Sequence, residues 1–277
     1  LVRTDREDSE SASAGLSYGI GIALTFVLYM FLLLYGQMVM TSIIEEKNNR
    51  VLEIMVSSIK PTQLMLGKIM GIGLVALTQI LLWCVLLIVM SAFILPALLP
   101  ADMLAQVQQM QAGGLATTAI DSEDMEIVSA LAMLGNVGFI VKILVWMTVF
   151  LIAGFLFYSA INAAIGSAVD NIQDAGQLQI IIVLPIMIGL VASMVSAADP
   201  NSSLAFWLSM IPFTSPMVMM SRIPAGIPDW EVILSLVILI AWVFAVIWIA
   251  AKIYRVGIFM YGKKPNVREI IRWIQYK

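Results

Sequence analysis

TSIIEEKNNRVLEIMVSSIKPTQLMLGK, residues 41–68, decides how the rest of this chain is read. It is a short charged island between two long apolar runs, 15–41 before it and 66–95 after it. Crossing the hydrocarbon core takes about 20 mostly apolar residues in a helix. Each flanking run is long enough, so the island is a polar connection between two spanning helices. Its own pattern is helical: Val51, Ile54, Met55 and Ile59 fall on one face, and Glu45, Glu46, Asn48, Asn49 and Glu53 lie largely elsewhere. Glu46 and Arg50 stand four apart in the favourable order. Pro61 ends that helix, and Thr62 is placed to cap the next.

Working outward, the hydropathy pattern repeats. Apolar runs at 137–164, 177–196 and 232–254 add three spans, making five. The fold class is an all-α polytopic membrane protein, with a transmembrane domain over 15–254. Composition agrees: 61% of residues are hydrophobic and 12% charged, with mean hydropathy +0.98, whereas a soluble domain carries about a quarter charged residues. Pro185 interrupts the fourth run and predicts a kink.

Basic residues orient the chain. Lys47, Arg50, Lys60 and Lys68 lie between the first two spans; Lys252, Arg255, Lys263, Lys264, Arg268, Arg272 and Lys277 begin at the end of the fifth. An odd number of spans puts both groups on one side, read as cytoplasmic. The loop 96–136 is acidic without a basic residue, as an outer loop should be; Arg3, Arg6 and Arg222 run against the rule. Residues 1–14 are polar and read as the remnant of an extracytoplasmic region. Residues 255–277 read as a cytoplasmic amphipathic tail, with Val267, Ile270, Ile271 and Ile274 on its apolar side. The stretch 199–230 contains Pro200, Pro212, Pro216, Pro224 and Pro228 between apolar pieces too short to cross. It predicts a broken, re-entrant pair of short helices at the outer face, or a loop lying on the headgroups.

Polar residues near the membrane are the candidate sites. Asn162, Asp170, Asn171 and Asp174 form a set that could line a polar path or cap a helix, with Asp170 and Asp174 four apart. Lys142 can snorkel from the outer end of its span. Gly15 and Gly19, and Gly67 and Gly71, make G-x-x-x-G pairs that suggest close packing. With no histidine and one cysteine, Cys84, in mid-span, these residues do not supply a Ser–His or His-dependent metal site. No G-x-x-x-x-G-K-[ST] loop occurs, so any ATP-driven motor is expected on a separate polypeptide. No metal ligand set and no nucleic-acid partner is read.

EEKNNRVLEIMVSSIKPTQLMLGK resembles the signature of type-2 ABC export permeases, with Glu45, Glu46, Lys47, Arg50, Leu52, Glu53, Pro61, Leu66, Gly67 and Lys68 in the matching places. AAIGSAVDNIQDAGQLQ and IPFTSPMVMMSRI resemble two later motifs of that family, in order. Within it the chain is similar to sodium-efflux and multidrug-like permeases. The resemblance implies a preceding span and outer domain, hence six spans in the full protein. It also implies that residues 43–60 are a coupling helix, whose Glu45, Glu46, Lys47, Arg50 and Glu53 contact an ABC ATP-binding subunit or orient the helix. ATP and Mg would be used by that partner, with no cofactor on this chain. A second permease copy or a paralogue would complete the path in the inner (plasma) membrane, exporting an ion, sodium for instance, or a small amphipathic molecule. A secondary transporter or channel is the alternative.

Overall fold

The computed structural model describes residues 2–49, 58–90, 93, 137–260 and 273. The outer loop 96–136, most of the tail 261–277, and both Arg50 and Glu53 lie outside the described residues. Among those described there is no strand. Eight α-helices follow one another: α1 Val2–Asn48, α2 Pro61–Val89, α3 Val137–Ala168, α4 Ile172–Leu178, α5 Ile180–Ala198, α6 Ser203–Met210, α7 Ser215–Arg222 and α8 Asp229–Gly257. A short 3₁₀ turn, Ile223–Ala225, follows α7 and ends at Gly226 with φ 76°, a left-handed conformation that glycine adopts without strain.

Among the described residues, five helices are long and apolar enough to cross a membrane: Gly15–Asn48, Pro61–Val89, Gly138–Ala168, Ile180–Ala198 and Asp229–Gly257. Several outrun the apolar runs that announced them. At 1.5 Å per residue, the 34 residues of the first reach about 50 Å, against a hydrocarbon core of about 30 Å. The helix is therefore longer than an untilted crossing of that core requires. Residues 43–48 are the end of α1, and not the start of a separate helix as the charge pattern suggested. α2 begins on Pro61, with extended Lys60 before it and no side-chain cap; Thr62 is inside the helix, because proline at the first position needs no amide partner.

α1 and α3 form the centre. α1 packs on α2, α3, α5 and α7, and α8 closes against α3 and α2. Single glycines set the close approaches. A Cβ at Gly166 would sit 2.8 Å from the Met40 carbonyl oxygen, and one at Gly36 would meet the Asn162 amide at 2.7 Å. Of the two glycine pairs expected to do this, Gly19, Gly67 and Gly71 meet nothing within 4 Å among the described residues. Tyr35 donates to Gln79 across α1 and α2, a polar interhelical link.

The proline-rich stretch folds into α6 and α7, eight residues each. Ser202 caps α6 by accepting from the Ala205 amide at 3.2 Å. All eight residues of α7 are buried. Thr25 of α1 donates to the Met217 carbonyl at 3.1 Å, and a Cβ at Gly21 would meet the Ser221 carbonyl at 2.7 Å. The first half of α1 thus leans on α7, and its last turns lie at the opposite end of the molecule.

Candidate functional site

The charges of the island were expected to contact a partner or to orient the helix. At the end of α1 the structure sorts them. Glu45, Asn48 and Asn49 are exposed, Glu46 is partly buried, and Lys47 has no exposed surface. Helical geometry does this: a continuous helix packed on α3 must turn one residue in three or four inward.

Lys47 is held at a junction of helix ends. Its Nζ donates to the Ser167 carbonyl at 2.9 Å and to the Gly257 carbonyl at 3.0 Å, and pairs with Asp170 Oδ1 at 2.9 Å. Ser167 is in the last turn of α3, and Gly257 ends α8. The last carbonyls of a helix have no partner within it and carry the negative end of its dipole. One ammonium therefore serves two helix C-termini and a carboxylate. Gly257 makes the meeting possible, because a Cβ there would lie 2.7 Å from Ser167 Oγ and 2.8 Å from its carbonyl oxygen.

A second pair flanks the first. Lys68 of α2 meets Glu46 Oε2 at 2.5 Å and donates to the Ser42 carbonyl, also on α1, at 3.1 Å. The last two turns of α1 are thus fastened to α2, α3, the α3–α4 link and α8 by charged contacts. A buried charge without its partner costs several kcal/mol, so these contacts fix position whatever their net stabilisation.

The expected site residues separate accordingly. Of the two roles expected for Lys47, contact with a partner or orientation of the helix, its complete burial and its pairing with Asp170 fit the second. Asp170 is its counter-ion and lies in the bend before α4, so it does not share a helical face with Asp174. Asn171 occupies the cap position of α4 but makes no side-chain capping bond, and Asp174 sits in that helix's first turn. Asn162 is buried in α3, where its amide donates to the Tyr158 carbonyl at 2.9 Å. Of these four, Asp170 is the one that the ion pair joins to the end of α1. Glu45 alone of the five island charges is both described and exposed.

Sequence reading missed a second buried cation. Arg222, which counted as an exception to the charge rule, ends α7 with 1% exposure. Its guanidinium donates to the Pro200 carbonyl at 2.8 Å, to Ser209 Oγ at 2.9 Å and to Glu231 Oε2 at 2.7 Å. Ser235 Oγ donates to the Ser209 carbonyl at 2.7 Å and lies 2.8 Å from Ser215 Oγ. The cluster locks α6, α7 and the start of α8 together. The nine-residue spacing of Arg222 and Glu231, on either side of Gly226 and Pro228, was the available signal. Lys142 pairs with Asp229 at 2.7 Å on an exposed surface.

Comparison with known proteins is consistent with this architecture. The ABC-2 family transporter protein profile matches residues 4–252. An uncharacterized Bacillus subtilis protein, YhaP, is 26% identical over 257 residues, covering 92% of this chain and 55% of its own length. An uncharacterized Methanocaldococcus jannaschii protein, MJ1024, is 25% identical over 264 residues, covering 94% of this chain and 54% of its own. The chain thus spans about half the length of these relatives. No solved structure matches it.

Proposed function

This chain belongs to the ABC-2 family of transporter proteins, and on that premise we propose that it is the membrane-spanning permease part of an ATP-driven exporter. A separate ATP-binding subunit, using ATP and Mg, would dock at the polar segment after α1, on the cytoplasmic side with the C-terminus. A second copy or a paralogue would supply the other half of the path in the plasma membrane. The cargo class is an ion or a small amphipathic molecule, with sodium as the reading taken from resemblance to efflux permeases.

The observation that carries this reading is the anchoring of α1 by Lys47. A push on the segment following Asn48 acts first on the end of α1. Because Lys47 holds the ends of α3 and α8, and Glu46 holds Lys68 of α2, that push reaches four spans together. An ordinary topological loop has no need of a buried ammonium at the junction. Glu45, exposed on the same turn, is the docking charge, joined by Arg50 and Glu53.

The test is co-purification of the full-length protein with its ATP-binding subunit. Glu45→Lys combined with Arg50→Glu is expected to abolish association while membrane insertion continues. Undiminished recovery of the ATPase with the double variant would refute the docking site.

A further inference from the structure

The face of α8 turned away from the other described helices changes chemistry along its length. Val237, Phe244 and Trp248 are exposed, Phe244 by 70% and Trp248 by 59%. Lys252 and Arg255 follow Trp248 at four and seven residues, so all five lie on one side of the helix. The Lys252 ammonium sits 4.0 Å from the centre of the Trp248 ring, a cation–π contact that fixes it directly beyond the apolar stripe. Arg255 is exposed one turn further on. From Lys252 to Lys277 the sequence has seven basic residues against the single acid Glu269.

That order (hydrocarbon surface, indole, then two cations) matches one ligand from end to end. Indoles favour the headgroup level of a bilayer. An acyl chain fits the stripe through Phe244 and Val237, and a phosphate fits Lys252 and Arg255. We infer that this face of α8 binds an anionic glycerophospholipid, with its headgroup on Lys252 and Arg255. Net charge gives the selectivity: a zwitterionic lipid carries its own cation beside the phosphate, and an anionic one does not. The inference stands whether or not an ATPase docks after α1.

The full-length protein, delipidated in detergent, can be titrated with phosphatidylglycerol and phosphatidylcholine of identical chains and the bound lipid counted by native mass spectrometry. Wild type is expected to prefer phosphatidylglycerol. Lys252→Gln should lower that preference about five-fold and Lys252→Gln with Arg255→Gln about thirty-fold, taking the usual contribution of each basic residue toward anionic lipid. Lys252→Arg and Arg255→Lys should retain it, as should Lys142→Gln at the other end of the molecule. Four results would overturn the inference. They are an unchanged preference in the double variant, an equal loss with Lys142→Gln, displacement by glycerol phosphate lacking acyl chains, or a stable dimer that Phe244→Ala dissociates, which would assign the face to a second copy.

Discussion

Lys47 and Arg222 are both buried cations at helix ends, but they connect different things. The two carbonyls bound by Lys47 are 120 and 210 residues away in sequence. The carbonyl, hydroxyl and carboxylate bound by Arg222 are 22, 13 and 9 residues away. The side chains suit the tasks. An ammonium is a compact charge that can sit where carbonyls converge from different helices. A guanidinium is a planar fork that holds several acceptors in fixed directions. One end of the molecule is therefore fastened across distant spans, where force can be shared. The other is a locally locked unit of two short helices and the start of α8, against which α1 rests through Thr25 and Gly21.

The contrast is broken most severely at Lys47. Lys47→Ala leaves Asp170 and two helix-end carbonyls without their cation, and should cost about 3–5 kcal/mol. Thermal melting of the detergent-purified protein reads this, and a wild-type melting temperature would mean that the helix ends meet without the ammonium. Arg222→Lys sharpens the geometric half of the comparison, since charge is kept and the fork is lost. We expect a loss of about 2 kcal/mol, together with faster proteolysis within 199–228; equal protection of that segment would show that charge alone suffices.

Gly166→Ala acts on the same end as Lys47 but through packing. Its Cβ would lie 2.8 Å from a backbone oxygen that cannot rotate away, and a cost of about 1–2 kcal/mol follows. Gly67→Ala, facing open space, should stay within about 0.5 kcal/mol, so equal melting shifts for the two would contradict the packing of α1 on α3. A small effect is likewise expected of Lys142→Gln. That ion pair is exposed on both sides, 46% and 63%, and should contribute less than about 1 kcal/mol and vanish in high salt.

The spans were legible because hydropathy over some twenty residues is a strong and local signal. Their ends were not. The apolar run stops at Thr41, yet the backbone ladder of α1 continues to Asn48, since helix hydrogen bonds do not stop where charge begins. The short helices of 199–230 were legible from proline spacing, and residues 43–48 were misread as a separate element for the same reason that α1's end was missed. Burial of Lys47 could not be read, because its partners Ser167 and Gly257 lie on helices whose relative placement no local pattern encodes. The packing glycines were missed for a related reason. Gly36 and Gly166 stand alone in sequence and matter because of Asn162 and Met40 opposite, whereas Gly19, Gly67 and Gly71 of the paired glycines face open space among the described residues.

In the proposed function, the ATP-binding subunit delivers its push at the end of α1. A photo-crosslinking residue in place of Glu45, in the full-length protein in native membranes, tests this most directly, with the same residue in place of Trp207 on α6 as the opposite-end control. An adduct with the ATP-binding subunit is expected from position 45 and none from position 207. An adduct from position 207 alone, or labelling of position 45 by a membrane-impermeant reagent added outside the cell, would contradict the proposed function.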